Sequence, residues 1–262
     1  KDAYSHDNMR GIQGAFDRSI RGIESCVREG LYTCIATTVT KDNCHQIPEI
    51  YALAKDMKVQ RLLGFNFIPT GRGIQLVDQD ISPMEREDLL KYMLTIDASG
   101  EKPECLSTAP QLARVALDIA ESGGVPVGHF YLGRTLQGRT RILADFIGGC
   151  GAGRLYCSIE PNGEIQPCVF MPISLGNIRD DDFLSIWHSS PVLETLRNRE
   201  TLNGGCGQCE QKFICGGCRA RAWAYFQDIS APDPGCIHNQ VLWEHLKASR
   251  TSPVGQNVGL AK

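Results

Sequence analysis

The chain has 262 residues, 42% of them hydrophobic and 22% charged, which is enough apolar material to fill one large domain or two ordinary ones. Lys and Arg total 27 against 30 Asp and Glu, a balance that excludes the basic footprint of a duplex-binding protein. No apolar run approaches the roughly 18 residues of a membrane span and the opening KDAYSHDNMRG has no signal-peptide core, so the expectation is a cytoplasmic protein without nucleic acid or membrane as partner.

In chain order, residues 1–8 read as an acidic-polar loop. Residues 9–30 read as an amphipathic helix, with Ile12, Phe16, Ile20, Ile23 and Val27 at three- and four-residue steps and Gly30 at its end. The β-branched run 31–40 fits a buried strand, Asn43 can cap a helix running to about residue 58, and 59–68 is a second strand ending in the loop Pro69-Thr70-Gly71-Arg72-Gly73. Ser82-Pro83-Met84-Glu85 supplies an N-cap, a first-turn proline and a capping-box acid for a helix over 83–98. A further helix is expected over 110–121, closed by Gly123-Gly124. Helix and strand alternate as in a parallel α/β fold, but only two strong strands are present, so residues 1–100 look like the later part of a larger α/β barrel or open sheet. Residues 101–147 are expected to be a linker and helix, 148–240 a small cysteine-rich domain, and 241–262 a C-terminal helix and tail. Lys1 in place of Met adds the expectation that the chain is a fragment.

Of twelve cysteines, those after residue 148 fall in a spaced pattern: Cys150, Cys157 and Cys168, then Cys206-x2-Cys209-x5-Cys215-x2-Cys218, then Cys236. Eight thiolates suit two four-thiolate sites, and soft sulfur donors select zinc, copper(I) or iron–sulfur clusters. A disulfide framework fits a small secreted domain better than this chain. Five residues between the two Cys-x2-Cys pairs make a single zinc-ribbon site awkward, and two structural zincs sharing the thiolates stay open beside iron–sulfur clusters. Glycines over 148–153 permit a tight turn and close approach. Pro161-Asn162-Gly163 between extended runs marks a hairpin that brings Cys157 and Cys168 near one another. Asp180 opens a helical stretch through Trp187 that packs under the hairpin, and Cys218 runs into another helix. Cys26, Cys34, Cys44 and Cys105 read as small buried residues, and His6, His129 and His188 as surface or core histidines.

The cysteine pattern, with twelve residues between Cys150 and Gly163, resembles the SPASM signature of radical S-adenosylmethionine enzymes. The two-residue form Cys215-Gly216-Gly217-Cys218 is similar to the branch that includes heme-biosynthesis and maturation enzymes. His6-Asp7-Asn8-Met9-Arg10-Gly11, the 37–40 strand end and Phe65 to Gly73 resemble later barrel strands and loops of that branch. The resemblance implies an α/β fold, the C-terminal part of a partial (β/α)6 barrel followed by a SPASM domain with a β-hairpin and short helices. It implies two auxiliary [4Fe-4S] clusters, one held by Cys150, Cys157, Cys168 and Cys218 and the other by Cys206, Cys209, Cys215 and Cys236. No Cys-x3-Cys-x2-Cys, the family's motif for its catalytic cluster, occurs among the twelve cysteines.

An intact parent enzyme would therefore carry S-adenosylmethionine and a third cluster and make a 5′-deoxyadenosyl radical, whereas this chain alone would be inactive. Its partners would be reduced ferredoxin or flavodoxin and a peptide, protein or tetrapyrrole substrate. The resemblance places Arg10 at the cofactor carboxylate, against the plainer reading of a solvated arginine. Arg72 stands at a strand's C-terminal end, where α/β sheets collect ligands, against the same plain reading. Arg219 and Arg221 either tune the neighbouring clusters or form a salt bridge on a helix face. The alternative functional class is an electron-transfer or substrate-recruiting module without radical chemistry.

Overall fold

The computed structural model describes residues 1–119 and 149–251. The expected closing glycines at 123–124, His129, Gly148 and the tail from 252 lie outside them.

The first surprise is at the start. Residues expected as a loop form helix α1 (Ala3–Arg10), because the Asp2 side chain accepts from the Ser5 N–H at 2.9 Å. Gly11 then takes φ +65 and ends the helix. The single helix expected over 9–30 is instead α2 (Ala15–Arg28), a second element turned from the first at Gly14. The buried Asp7 carboxylate ties this corner, accepting from Gly14 N at 2.6 Å and Phe16 N at 2.8 Å.

Strands β1 (Cys34–Val39), β2 (Arg61–Asn66) and β3 (Glu104–Ser107) form a parallel sheet in the order β1-β2-β3. β3 corrects the expectation of a linker after residue 100: the α/β part continues through Ser107. β1, expected to be buried, is the outer strand of this sheet and half exposed, with buried Val39 only at its end. Asn43 does not cap the following helix α3 (Ile47–Asp56); its amide turns back on the strand end, accepting from Thr40 N and donating to Thr38 O, both at 2.9 Å. The expected loop at 69–73 winds into 3-10 turns over Gly71–Gln79.

Helix α4 (Pro83–Ser99) begins with the expected reciprocal cap, Glu85 N to Ser82 Oγ at 3.2 Å and Ser82 N to Glu85 Oε2 at 2.7 Å. It lies across the sheet, where Leu62, Met93, Cys105 and Ile81 share a core with Ile47 and Ile50 of α3. Gly64 admits this close approach, since a Cβ there would stand 3.0 Å from the Met93 methyl carbon. Helix α5 (Gln111–Ile119) packs Leu112 and Val115 against Leu90 of α4.

From residue 149 the chain builds short elements. β4 (Ser158–Ile159), β5 (Glu164–Gln166) and β6 (Gly176–Asn177) make an antiparallel sheet, with the expected turn at Gly163, φ +89, between the first two. A helix over Phe183–Ser189 is capped by Asp182, two residues past the Asp180 expected to open it. None of its residues is fully buried, although Trp187 packs against the neighbouring core. Helices over Pro191–Arg197, Arg219–Phe226 and Gln240–Thr251 complete the framework. Among the described residues, no helix is long and apolar enough to cross a membrane.

Candidate metal centres

Three of the spaced thiols meet where the second part abuts the sheet. Cys150 follows Gly149, which is wedged so tightly that a Cβ would lie 2.6 Å from Pro110 O and 2.7 Å from Cys215 O. Cys168 lies beyond β5, its carbonyl accepting from Met171 N at 2.8 Å. Cys218 begins the helix Arg219–Phe226, and its N–H donates to Asp233 Oδ2 at 2.7 Å. These three line a mostly apolar cavity of about 310 Å³ together with Asn66, Thr108 and Tyr156. The Tyr156 hydroxyl stands 4.0 Å from Cys168 Sγ. Cys157 is half-buried and does not line the cavity. Successive side chains of extended backbone point to opposite sides, so Tyr156 faces inward where Cys157 does not. The ladder itself begins at Ser158, paired with Gln166, and leaves Cys157 and Cys168 just outside it.

The other four thiols, Cys206, Cys209, Cys215 and Cys236, line a second and tighter void of about 10 Å³ with Arg114 and His238. That space suits a single water, so a cluster seated there would spread the knot. Among the described residues, no three His, Cys, Asp or Glu side chains converge closely enough for one metal ion. The surroundings nevertheless suit sulfur carrying negative charge. Cys206 Sγ receives Asp233 N at 3.3 Å, Arg219 Nη2 at 3.7 Å and Asn239 Nδ2 at 3.7 Å, while Cys215 Sγ receives Gly217 N at 3.4 Å. Such donors strengthen when a thiol becomes a thiolate or joins a cluster. Gly216 and Gly217 take φ +66 and +63, and a Cβ on Gly217 would stand 3.2 Å from Cys206 Sγ. The donor set and this glycine cradle fit a thiolate-bound cluster better than a lone ion.

Burial pushes the thiols up: Cys168 to about 11, Cys218 and Cys236 to about 12, and Cys215 further still. As isolated groups they hold their protons at neutral pH, so loading a metal must expel those protons.

Buried charge joins the two parts of the molecule. Arg86 of α4 donates to Gly235 O at 3.1 Å, Asn66 Oδ1 at 2.6 Å and Asp80 Oδ1 at 2.8 Å. Arg221 meets it from the other side, donating to Asn66 Oδ1 and to Phe67 O at 2.7 Å. Arg221 is fully buried and 3.7 and 3.9 Å from Asp80 and Asp233, so it clamps the sheet's C-terminal edge and is not part of an exposed helix-face bridge. Arg219 is also buried, with Nη1 donating to Ile229 O at 2.9 Å and Ala231 O at 2.7 Å.

Arg10 lies exposed in the last turn of α1 and Arg72 exposed in the 3-10 segment; neither lines either cavity. His6 Nδ1 lies 3.4 Å from Asp7 Oδ1, and His188 is in the last turn of the helix Phe183–Ser189. Of the four outlying cysteines Cys105 is buried as expected, Cys26 and Cys44 are half-buried, and Cys34 is exposed because β1 is the outer strand. Sequence reasoning missed Tyr156, Asn66, Arg86, Arg199 and Asp233; a tyrosine beside a patterned cysteine was the one local signal on offer.

Residues 150–210 match SPASM, an iron–sulfur cluster-binding domain. The chain is 35% identical over 237 residues to the AdoMet-dependent heme synthase of Nitratidesulfovibrio vulgaris, covering 90% of this chain and 62% of that protein. It is 33% identical to the enzyme of the same name from Methanosarcina barkeri, covering 90% and 65%. It thus spans less than two thirds of the length of these curated relatives. Its fold matches Streptococcus suis SuiB bound to precursor peptide SuiA with a TM-score of 0.59 at 19% identity, over 88% of this chain and 48% of SuiB. That likeness identifies the architecture as part of an α/β barrel followed by a cysteine-rich domain.

Proposed function

We propose that this chain belongs with the radical S-adenosylmethionine enzymes that carry a SPASM domain, as its match to that domain and its likeness to the heme synthases support, that it holds two auxiliary [4Fe-4S] clusters and that it serves radical chemistry on a heme-type tetrapyrrole. The observation that carries the proposal is the sorting of the thiols. Cys150, Cys168 and Cys218 surround one cavity, and Cys206, Cys209, Cys215 and Cys236 another. We assign Cys157 as the fourth ligand of the first site; it sits one residue from the cavity-lining Tyr156. The tetrapyrrole is preferred to a peptide because the heme synthases are the nearer in sequence of the relatives compared. The electron donor would be reduced ferredoxin or flavodoxin.

When bound, the clusters supply one-electron transfer at potentials set by burial and hydrogen bonding. The chain's own part is positional. Asp233 fixes Cys218 through its N–H, Gly217 lets the knot close on Cys206, and the Arg86–Asn66–Arg221 clamp holds the sheet edge against the first cavity. The mostly apolar lining offers water few partners in that cavity.

Anaerobic reconstitution tests the proposal. The chain should take up about eight iron and eight sulfide ions, two Cys-bound [4Fe-4S] clusters. Two zinc ions without labile sulfide, under strict anaerobiosis, would overturn it. A second reading, an electron-transfer or recruiting module, is favoured by the absence of Cys-x3-Cys-x2-Cys from these 262 residues. Both readings expect no 5′-deoxyadenosine from this chain alone. Restored catalysis when the chain is fused to a segment bearing that motif selects the first.

A further inference from the structure

Arg199 is 2% exposed and reaches both thiol groups. Its Nη2 donates to the carbonyl of Cys150, of the first group, at 3.1 Å. Its guanidinium lies against Gly216 in the knot of the second, where a Cβ would collide with it.

Among the described residues, Arg199 makes no ion pair with a carboxylate, and its Nε and Nη1 have no hydrogen-bond acceptor. Arg219 is the same kind of group: buried, donating to carbonyls and to Cys206 Sγ, with Nε unsatisfied and no carboxylate in reach. Arg86, Arg114 and Arg221, equally buried, all have carboxylates beside them. An uncompensated charge inside a protein is expensive, and arginine does not escape by losing its proton. Two such cations at one place call for an anion. A [4Fe-4S] core with four thiolates carries a net charge of roughly −2.

We propose that Arg199 is the shared counter-cation of both cluster sites, holding the potentials of both above what thiolate ligation alone would give, and that Arg219 does this for the second site only. This rests on the cluster assignment above. Reduction adds negative charge, so a fixed cation nearby favours it, and removing the cation lowers the potential.

The test compares reconstituted wild type with Arg199→Met, Arg199→Lys and Arg219→Met. Iron and sulfide are counted and midpoint potentials are read by EPR-monitored titration. Arg199→Met should lower both potentials and Arg219→Met only that of the Cys206 site, while Arg199→Lys, which keeps the charge, stays near wild type. A fully loaded Arg199→Met with unchanged potentials overturns the proposal, as does Arg199→Lys displaced as far as Arg199→Met. If Arg199→Met does not load, Arg199→Gln, which keeps an N–H for the Cys150 carbonyl without the charge, takes its place. Both potentials lowered supports the proposal; unchanged potentials, or a variant that loads no better than Arg199→Met, would make Arg199 a mere brace and sink the idea. A wild type that takes up no iron and sulfide refutes the cluster assignment itself.

Discussion

Asp233 holds Cys218 by its backbone: the cysteine N–H donates to Oδ2 at 2.7 Å across fifteen residues of chain. The same oxygen accepts from Gln111 Nε2 of α5 at 2.6 Å, and Oδ1 accepts from Gly235 N at 2.9 Å. One buried carboxylate therefore fixes a proposed ligand, a helix of the α/β part and the turn that leads to Cys236. Asp233→Ala should cost about 3–5 kcal/mol, the range for stripping a buried charge from its partners. Denaturant unfolding measures it, and a loss under about 1 kcal/mol would show that the network is dispensable.

Ligand partition can be read directly. Cys218→Ala should damage the cluster shared with Cys150, Cys157 and Cys168, and Cys236→Ala the other, although Cys218 belongs in sequence to the knot. Mössbauer or EPR spectra of the two variants separate the patterns. The same cluster lost in both would leave the crossed arrangement without support.

Stripping the iron should unlock one part of the molecule more than the other. Metal binding is coupled to folding where thiolates supply much of the framework, and the ladders of β4, β5 and β6 pair only two residues each. Amide hydrogen exchange should show 149–236 losing protection in the iron-free protein while β2 and α4 keep most of theirs. Equal protection of 158–166 in both forms would contradict this.

Cys105 offers a pH test away from either cavity. Burial in the α/β core pushes its thiol from an ordinary 9.0 up to about 12. The folded state thus holds a proton that the unfolded state gives up. Its contribution is complete below pH 9 and disappears as pH rises toward 12, a loss on the order of a few kcal/mol. Cys105→Ala, less stable at pH 7 for want of the sulfur, should lose less stability than wild type over that window. Parallel pH profiles in denaturant unfolding would refute it.

Elements announced by local chemistry could be read from the sequence: the Ser82–Glu85 box, the Asn162-Gly163 turn and the β-branched first strand. β3 could not, because Glu104-Cys105-Leu106-Ser107 has neither length nor β-branching, and only its place beside β2 makes it a strand. α1 was missed because its apolar content is low and its start rests on one Asp2 side chain. The site was legible as a cysteine pattern but only in part in its charges. Arg219 and Arg221 stand open in the sequence between cluster tuning and a helix-face bridge, and Arg86 and Arg199 look like ordinary solvated arginines until the fold brings carbonyls, sulfurs and carboxylates from distant segments around them.

The bond from Arg86 to Gly235 also sets an order of events. It spans 149 positions of sequence, so a ribosome making about 5–20 residues per second needs roughly 7–30 seconds to deliver the acceptor after the donor. During that interval the sheet and α4 can assemble, but Arg86 and Asn66 remain hydrated, since drying them without Gly235 and Arg221 would bury polar groups short of their hydrogen-bond partners. The segment around Gly235 completes an edge made well before it, and a nascent chain stalled before that point presents a wet, unfinished sheet edge to chaperones and proteases.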